Sequence, residues 1–313
     1  MERLSKAEYA RVKSEQVKEL LSAMRKGVRE VFASEEYGAR LRAISRFVGD
    51  ANKYSPQNTL LILMQKPEAS YVMSYKKWQE HGRQVQRGEK GLHILAPVFE
   101  RKADKEKDID ESKSEQEHEE RPQRIVCYVP VAVFDVSQTG GDQLPLELKK
   151  LTGDVENYEM FKQSLSEAAG LSIIYDDKML ISNGEYREYL DTGEKEIRIK
   201  SGMSEKQTIK TLLHEIAHSR LHSRQNDTSE LSRNTKEIEA ESVAYIVSNY
   251  YGIDTSEYSF EYVASWSEDR LDTELEQSFN RICNTSRALV SEIDRCMDIA
   301  LEAEREADFE FEM

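Results

Sequence analysis

The chain has few cysteines, no long apolar run and no excess of positive charge, and each shortage excludes something. Its 313 residues hold three cysteines, Cys127, Cys283 and Cys296, with no CxxC pair among them. An odd, scattered set cannot build a disulfide framework, so a reducing compartment is expected. No apolar stretch approaches the roughly 18 residues that a membrane helix needs. The opening MERLSKAEYARVKSEQ reads as a charged helix without the apolar core of a signal peptide. The expected location is therefore the cytoplasm, with no membrane partner. Acidic residues outnumber basic ones by 59 to 44, for a net charge of -15. At first sight that argues against a nucleic-acid partner, because phosphate binding demands a basic surface. Distribution matters more than the sum. From Lys53 to Phe99 seven basic residues stand against three acidic ones, and the acidic excess lies chiefly in 100–120 and at the C-terminus.

Histidine is scarce too, with six in the chain, yet Ser204–His222 (SEKQTIKTLLHEIAHSRLH) places His214 and His218 around Glu215 as H-E-x-x-H. Ser204 with Gln207 has the form of a capping box, which predicts a helix start. Ile209, Leu212, Leu213 and Ile216 then make one apolar stripe. His214 and His218 lie off that stripe, one helical turn apart, where two imidazoles can reach a single ion at about 2.0–2.1 Å. Two histidines in a helix are more often surface or core residues; the enclosed glutamate is what points to zinc. Glu215 projects beside the ion, where it can act as general base on a water.

A third ligand is then required, with a fourth position left open. His222 is one candidate, but eight residues separate it from His214 by about 12 Å along a helix axis. The other lies in NTKEIEAESVAYIVSNYYG. There Ala240, Ala244, Val247 and Tyr251 form an apolar stripe, Gly252 closes a helix, and Glu237 and Glu241 border the stripe. Carboxylates beside an apolar face are costly unless paired or metal-bound. Glu239, about 200° round from Glu237, is expected to face solvent.

His214, Glu215 and His218, followed nineteen residues after His218 by Glu237, resemble the gluzincin metallopeptidases. The resemblance implies Glu237 as third ligand and Glu241 as the carboxylate that orients His214, a role that fixes the tautomer of an imidazole ligand. It implies Zn2+, with Mn2+ the alternative, and Glu215 as catalytic base in peptide hydrolysis. Tyr245, Tyr251 and His222 are weak candidates for stabilising a developing oxyanion. The segment NGEYREYLDTGEKEIRIKSG reads as a β-hairpin feeding the strand Glu196–Lys200, expected by analogy as the edge strand that aligns a peptide.

Elsewhere, residues 2–50 read as helices with Leu20, Leu21, Met24, Val28, Val31, Leu41, Ile44 and Phe47 at core spacing. Ser55 and Pro56 open a third helix. A short helix at 74–81, a turn at Gly88 and Gly91, a strand at 92–99 and its partner at 125–136 follow. Between those strands, 100–124 is a charged, mobile excursion, and SQTGGDQLP at 137–145 marks a boundary. An amphipathic helix is expected at 156–170 and another from about 271 to 303, with the acidic end fraying.

The 54–99 segment with VFDVSQTGG at 133–141 looks like the single-stranded-DNA-binding domain of ArdC-like antirestriction proteins and the related LtrC-like proteins, which join such a domain to a C-terminal HExxH domain in this order. That resemblance spans roughly 5–270 and implies protection of incoming DNA during transfer of a mobile element. The residues themselves offer aromatics for stacking bases (Tyr54, Tyr71, Tyr75, Trp78) and cations for phosphates (Lys76, Lys77, Arg83, Arg87, Lys90). Each aromatic has packing as its competing use, Trp78 above all. The expectation is an α+β protein: an N-terminal DNA-binding domain at 1–140, a linker at 141–155, and a mainly helical zincin-like domain at 156–313. Two other readings stay open, a non-enzymatic DNA-binding protein with structural zinc and a regulatory protease whose first module binds protein.

Overall fold

A computed structural model describes residues 6–52, 54–100, 124–142, 155–226, 228–256 and 258–311. The charged excursion from 101 to 123 and most of the proposed linker, 143–154, lie outside the described residues. The N-terminal half begins with α1 (Lys6–Phe32), α2 (Tyr37–Ser45) and α3 (Pro56–Gln65), then β1 (Val72–Ser74), α4 (Tyr75–Glu80), β2 (Arg83–Val85), β3 (Leu92–Phe99), β4 (Ile125–Asp135) and β5 (Thr139–Gly141). The C-terminal half follows with α5 (Val155–Ala169), β6 (Ser172–Asp176), β7 (Gly184–Glu188), β8 (Lys195–Lys200), α6 (Glu205–Leu221), α7 (Arg233–Tyr250), α8 (Glu261–Glu268) and α9 (Asp272–Phe311). The α+β expectation is met.

Local chemistry explains most of the starts. Ser55, Ser74, Ser204 and Ser232 each sit in an extended conformation and accept from the backbone N–H three residues on, so each caps a helix. The capping box at Ser204 is only half formed: its hydroxyl accepts from the Gln207 N–H at 3.3 Å, while the Gln207 amide turns to Thr211 Oγ1 at 3.4 Å. At the far end of α7, Gly252 adopts φ 74°, the left-handed turn that closes a helix. α9 stays helical to Phe311, past the point where fraying is expected, through a Glu- and Ala-rich sequence of high helix propensity.

Three sheets result. β1, β4 and β3 lie side by side, all antiparallel, with Leu92 opposite Val133 and Val98 opposite Cys127. β2 and β5 form a two-stranded ribbon that the sequence reading did not foresee. In the third sheet β8 is central, parallel to β6 and antiparallel to β7. This corrects the expected edge strand: Glu196–Lys200 belongs to the middle strand, and β7 is the edge strand that lies against α6. The reason is β6, which takes the other side of β8 and leaves β7 paired on one side only.

The core is shared between the halves. Tyr37 of α2 is buried and its hydroxyl pairs with Ser242 Oγ of α7 at 2.8 Å, and Gln57 of α3 donates to Asn280 of α9 at 2.7 Å. α7 is consequently enclosed on nearly every side, with 242–248 all buried. Leu21, expected in the core, is 36% exposed.

Candidate metal centre and nucleic-acid face

The helix α6 presents His214 and His218 one turn apart, and α7 brings Glu237 against them. The two Nε2 atoms are 3.0 Å apart, and Glu237 Oε2 stands 3.5 Å from each. A tetrahedral ion bound at 2.0–2.1 Å would separate its ligand atoms by about 3.3 Å, so these three edges fit one divalent ion. Among the described residues this is the one such cluster of His, Cys, Asp or Glu. Glu241 Oε2 lies 3.9 Å from His214 Nδ1, on the side of the ring away from Glu237. His222, the C-cap of α6, does not join the triad: its ring nitrogens meet His218 Nδ1 at 3.1 Å and Glu239 Oε2 at 3.0 Å.

The charges follow from this packing. Hydrogen bonds to His214 and His218 hold the Glu237 carboxyl well below the usual carboxylate range. Burial works against protonating His214, but the Glu237 hydrogen bond and the nearby Glu215 and Glu241 outweigh it and raise its pKa. Burial pushes Glu215 and Glu241 up. Glu215 is 7% exposed, and the Tyr186 backbone N–H of β7 reaches its carboxylate. A raised carboxyl beside two imidazoles suits a group that must both take and return a proton.

A cleft of about 300 Å³ opens over this group, floored by Thr211, His214 and Glu215 and walled by Asn183, Gly184, Glu241 and Tyr258. Gly184 opens β7 and Asn183 precedes it. Tyr258 and Lys210, whose ammonium lies 4.3 Å from the Tyr258 ring centre, are cleft residues that sequence reasoning missed. No motif marks them, since they come from a loop and a helix face.

Two expectations fail here. Glu239, expected in solvent, has 0% exposure and accepts from Ser278 Oγ at 2.7 Å, from Arg281 Nη2 at 2.5 Å, and pairs with His222 Nε2 at 3.0 Å. Its helix is covered by α9 as well as α6, and Glu239 lies on the face turned to α9. Burial would raise Glu239, but its hydrogen bonds from His222, Arg281 and Ser278 outweigh that and hold it low. The oxyanion candidates are also turned elsewhere. Tyr245 OH meets Arg42 at 3.3 Å, Tyr251 OH meets Asp294 at 3.0 Å, and His222 is occupied by Glu239.

In the N-terminal half the candidates divide. Trp78 is fully buried and its Nε1 donates to the Phe134 carbonyl at 2.8 Å, so it packs the core and cannot stack a base. Arg83 is spent on Thr139 and the β5 carbonyls, with its guanidinium over the Trp78 ring. Tyr54 packs on the core and donates to the Val72 carbonyl at 3.0 Å. Tyr71 is half-buried. By contrast Tyr75 is 44% exposed, edge-on to Phe134, and Lys76, Lys77, Arg87 and Lys90 are exposed. Tyr75, Arg87, Gln84, Gln86 and Phe134 line an open groove of about 780 Å³. Phe134 and the two glutamines escaped the sequence reading because strand alternation alone does not say which face is open.

Comparison with known proteins agrees with both halves. Residues 8–134 match the family described as the N-terminal domain of anti-restriction factor ArdC, and residues 167–285 match the IrrE N-terminal-like domain of a peptidase family. The uncharacterized protein pXO2-81 of Bacillus anthracis is 27% identical over 325 residues, taking in 95% of this chain and 54% of its own length. The chain thus spans about half the length of that curated relative. Crystal structures of the antirestriction ArdC protein from the R388 plasmid share the fold at 18% identity. The metal-free form has a TM-score of 0.55, covering 87% of this chain and 98% of that one; the Mn(II)-bound form has 0.52, covering 88% and 97%. Among the described residues no helix is long and apolar enough to cross a membrane. One chain thus carries a match to the ArdC N-terminal domain model at 8–134 followed by a match to the IrrE N-terminal-like domain model at 167–285.

Proposed function

We propose that this chain binds single-stranded DNA through its N-terminal half and carries a zinc-dependent peptidase centre in its C-terminal half, acting in the protection of incoming DNA during transfer of a mobile element. The observation that carries the peptidase reading is the convergence of His214, His218 and Glu237 on one point, with Glu215 beside it at the floor of an open cleft. His214 Nε2, His218 Nε2 and a Glu237 oxygen would hold the ion, with Mn2+ the alternative to Zn2+ in view of the Mn(II)-bound ArdC structure. When bound, such an ion polarises a peptide carbonyl and makes a water acidic enough to attack it near neutral pH. The chain's own residues do the rest. Glu215 takes the water proton on its carboxylate and returns it to the departing amine nitrogen, a transfer that its raised pKa favours. The open edge of β7 offers backbone groups to an extended peptide lying over the cleft.

The DNA reading rests on the groove at Tyr75 and Phe134, where bases can stack, flanked by exposed Lys76, Lys77, Arg87 and Lys90 for phosphates. We place the boundary between the two functions at 141–155. The test uses the purified chain and its Glu215→Gln variant, a peptide library, and a short oligonucleotide. Expected are one divalent ion per chain in both proteins, peptide cleavage by the wild type alone, and oligonucleotide affinity that falls steeply between about 50 and 200 mM salt. Equal function in Glu215→Gln would remove the peptidase reading and leave a structural metal. No oligonucleotide binding at low salt would remove the DNA reading.

A further inference from the structure

The buried pair His222 and Glu239 has no part in the peptidase chemistry above, yet it sits directly behind a metal-ligand candidate. His218 Nδ1 is 3.1 Å from His222 Nδ1, His222 Nε2 is 3.0 Å from Glu239 Oε2, and Glu239 is held by Ser278 and Arg281 of α9. The side chain of His222 is 4% exposed and that of Glu239 is 0% exposed. An unpaired carboxylate in such a place would be costly, and a buried ionic group is weak evidence for stability by itself, so the pair calls for a use beyond packing.

We propose that His222 and Glu239 are positioning residues that fix the tautomer and ring orientation of His218, so that it meets the ion through Nε2 alone; this rests on the reading of His214, His218 and Glu237 as metal ligands. The hydrogens can be placed from the outside inward. Arg281 can only donate, and both its Nε and Nη2 point at Glu239. Ser278 also gives its hydrogen to Glu239. The carboxylate accepts only, so the hydrogen between it and His222 belongs to His222 Nε2. A neutral imidazole has one N–H, which leaves His222 Nδ1 as an acceptor. Its partner, His218 Nδ1, must then carry the hydrogen. The lone pair of His218 is thereby placed on Nε2, the atom that faces His214 and Glu237.

The two imidazoles are thus supported differently. Glu241 stands 3.9 Å from His214 Nδ1 directly, whereas Glu239 reaches His218 only through His222. Both carboxylates come from α7, which also supplies Glu237, and the second route makes α9 a third wall of the centre. An i, i+4, i+8 row of histidines that runs to the C-cap of α6 acquires a use for its last member, although that member lies outside the triad.

The test compares His222→Leu with His222→Gln in the full chain. Glutamine can accept from His218 Nδ1–H with its oxygen and donate to Glu239 with its nitrogen, so it preserves the direction of the chain; leucine preserves only the volume. In His222→Leu, Zn(II) affinity measured by chelator competition should fall by about 10–100-fold, and in His222→Gln it should stay within a fewfold of wild type. Independently, nitrogen NMR of the histidine rings in the metal-free protein should report His218 as the Nδ1–H tautomer in wild type and His222→Gln. Wild-type Zn(II) affinity in a folded His222→Leu, or an Nε2–H tautomer of His218 in the wild type, overturns the proposal. If His222→Leu does not fold, the tautomer measurement and His222→Gln decide the matter alone. If the wild type takes up no divalent ion, the metal reading fails, and the metal-free tautomer still shows whether the hydrogen-bond chain exists.

Discussion

Gly184 brings the edge strand β7 close against α6, and giving it a side chain tests the geometry of the cleft. A Cβ there would stand 2.5 Å from Thr211 Cγ2, 2.8 Å from Glu215 Oε1 and 2.9 Å from Glu215 Cγ. Carbon atoms rest at about 3.5–4.0 Å, so roughly 1 Å of separation has to be created. The helix cannot supply it. Leu212, Leu213 and Ile216 are buried to 0% exposure, and the Thr211 rotamer is restricted by its branched Cβ. β7 is bonded on one side only, so the strand should retreat and carry the Tyr186 N–H away from Glu215. Overpacking costs about 1–3 kcal/mol, and replacing a strand glycine returns about 0.5–1 kcal/mol. The net is about 1–2 kcal/mol, a fall in Tm of about 1.5–3 °C for a chain of this size. Differential scanning calorimetry of Gly184→Ala measures it. The metal affinity should hold, since none of His214, His218 and Glu237 is touched. A peptidase rate, in contrast, should drop on the order of 100-fold, because a misplacement of about 1 Å at a catalytic group costs that much. Unchanged Tm and rate together would refute the close approach, as would unchanged rate with lost metal.

Three further outcomes follow from residues already placed. Trp78→Ala should destabilise the N-terminal half by about 3–5 kcal/mol, because it empties a fully buried site; chemical denaturation measures it, and a stable variant with only weakened oligonucleotide binding would return Trp78 to the DNA face. Tyr75→Ala should weaken single-strand binding by about 1–3 kcal/mol at every salt concentration, whereas Arg87→Ala should lower the salt slope by about 0.7; fluorescence anisotropy separates the two, and no change in either would move the DNA site off this groove. Of the three thiols, Cys127 alone is exposed, while burial pushes the Cys283 thiol up to about 12. At pH 8 its thiolate fraction is on the order of 0.0001, so a thiol reagent should modify Cys127 at once and Cys283 and Cys296 only after denaturation. Two rapid equivalents in the native state would contradict the burial.

Local signals were read well where the chain itself supplies the partner. A serine cap needs only its own backbone three residues on, so the starts of α3, α4 and α6 and the β3–β4 pairing were legible. The centre was legible for a similar reason, since one helical turn sets the distance between His214 and His218, and the acidic positions of α7 had few uses. Glu239 was misread because its environment comes from α9, more than thirty residues away, and an amphipathic stripe says nothing of a second covering helix. β7 was missed as the edge strand because strand order depends on β6. Arg83 and Trp78 are the clearest lesson: a cation beside an aromatic in a basic segment reads as a DNA contact, yet Arg83 lies over the Trp78 ring and ties β2 to β5, while Trp78 is buried and bonded to the Phe134 carbonyl.

The position of Glu237 relative to the two histidines depends on more than the C-terminal half. α7 is held from one side by α6 and α9, and from the other by α2, through the Tyr37–Ser242 pair and the approach of Arg42 to Tyr245. α9 is itself tied to the N-terminal half by Arg29 to Asp272, Gln57 to Asn280 and Arg287 to the Phe47 carbonyl. Asn280 lies between Ser278 and Arg281, the two residues that hold Glu239. The same turn of α9 therefore docks α3 on one face and fixes the buried carboxylate on another. Isolated from α1–α3, the helix pair that forms the centre would lose one wall and expose Ser242 and Tyr245, which face Tyr37 and Arg42 of α2. The N-terminal half is thus part of the scaffold of the candidate metal centre, and its presence is built into the geometry on which the proposed chemistry depends.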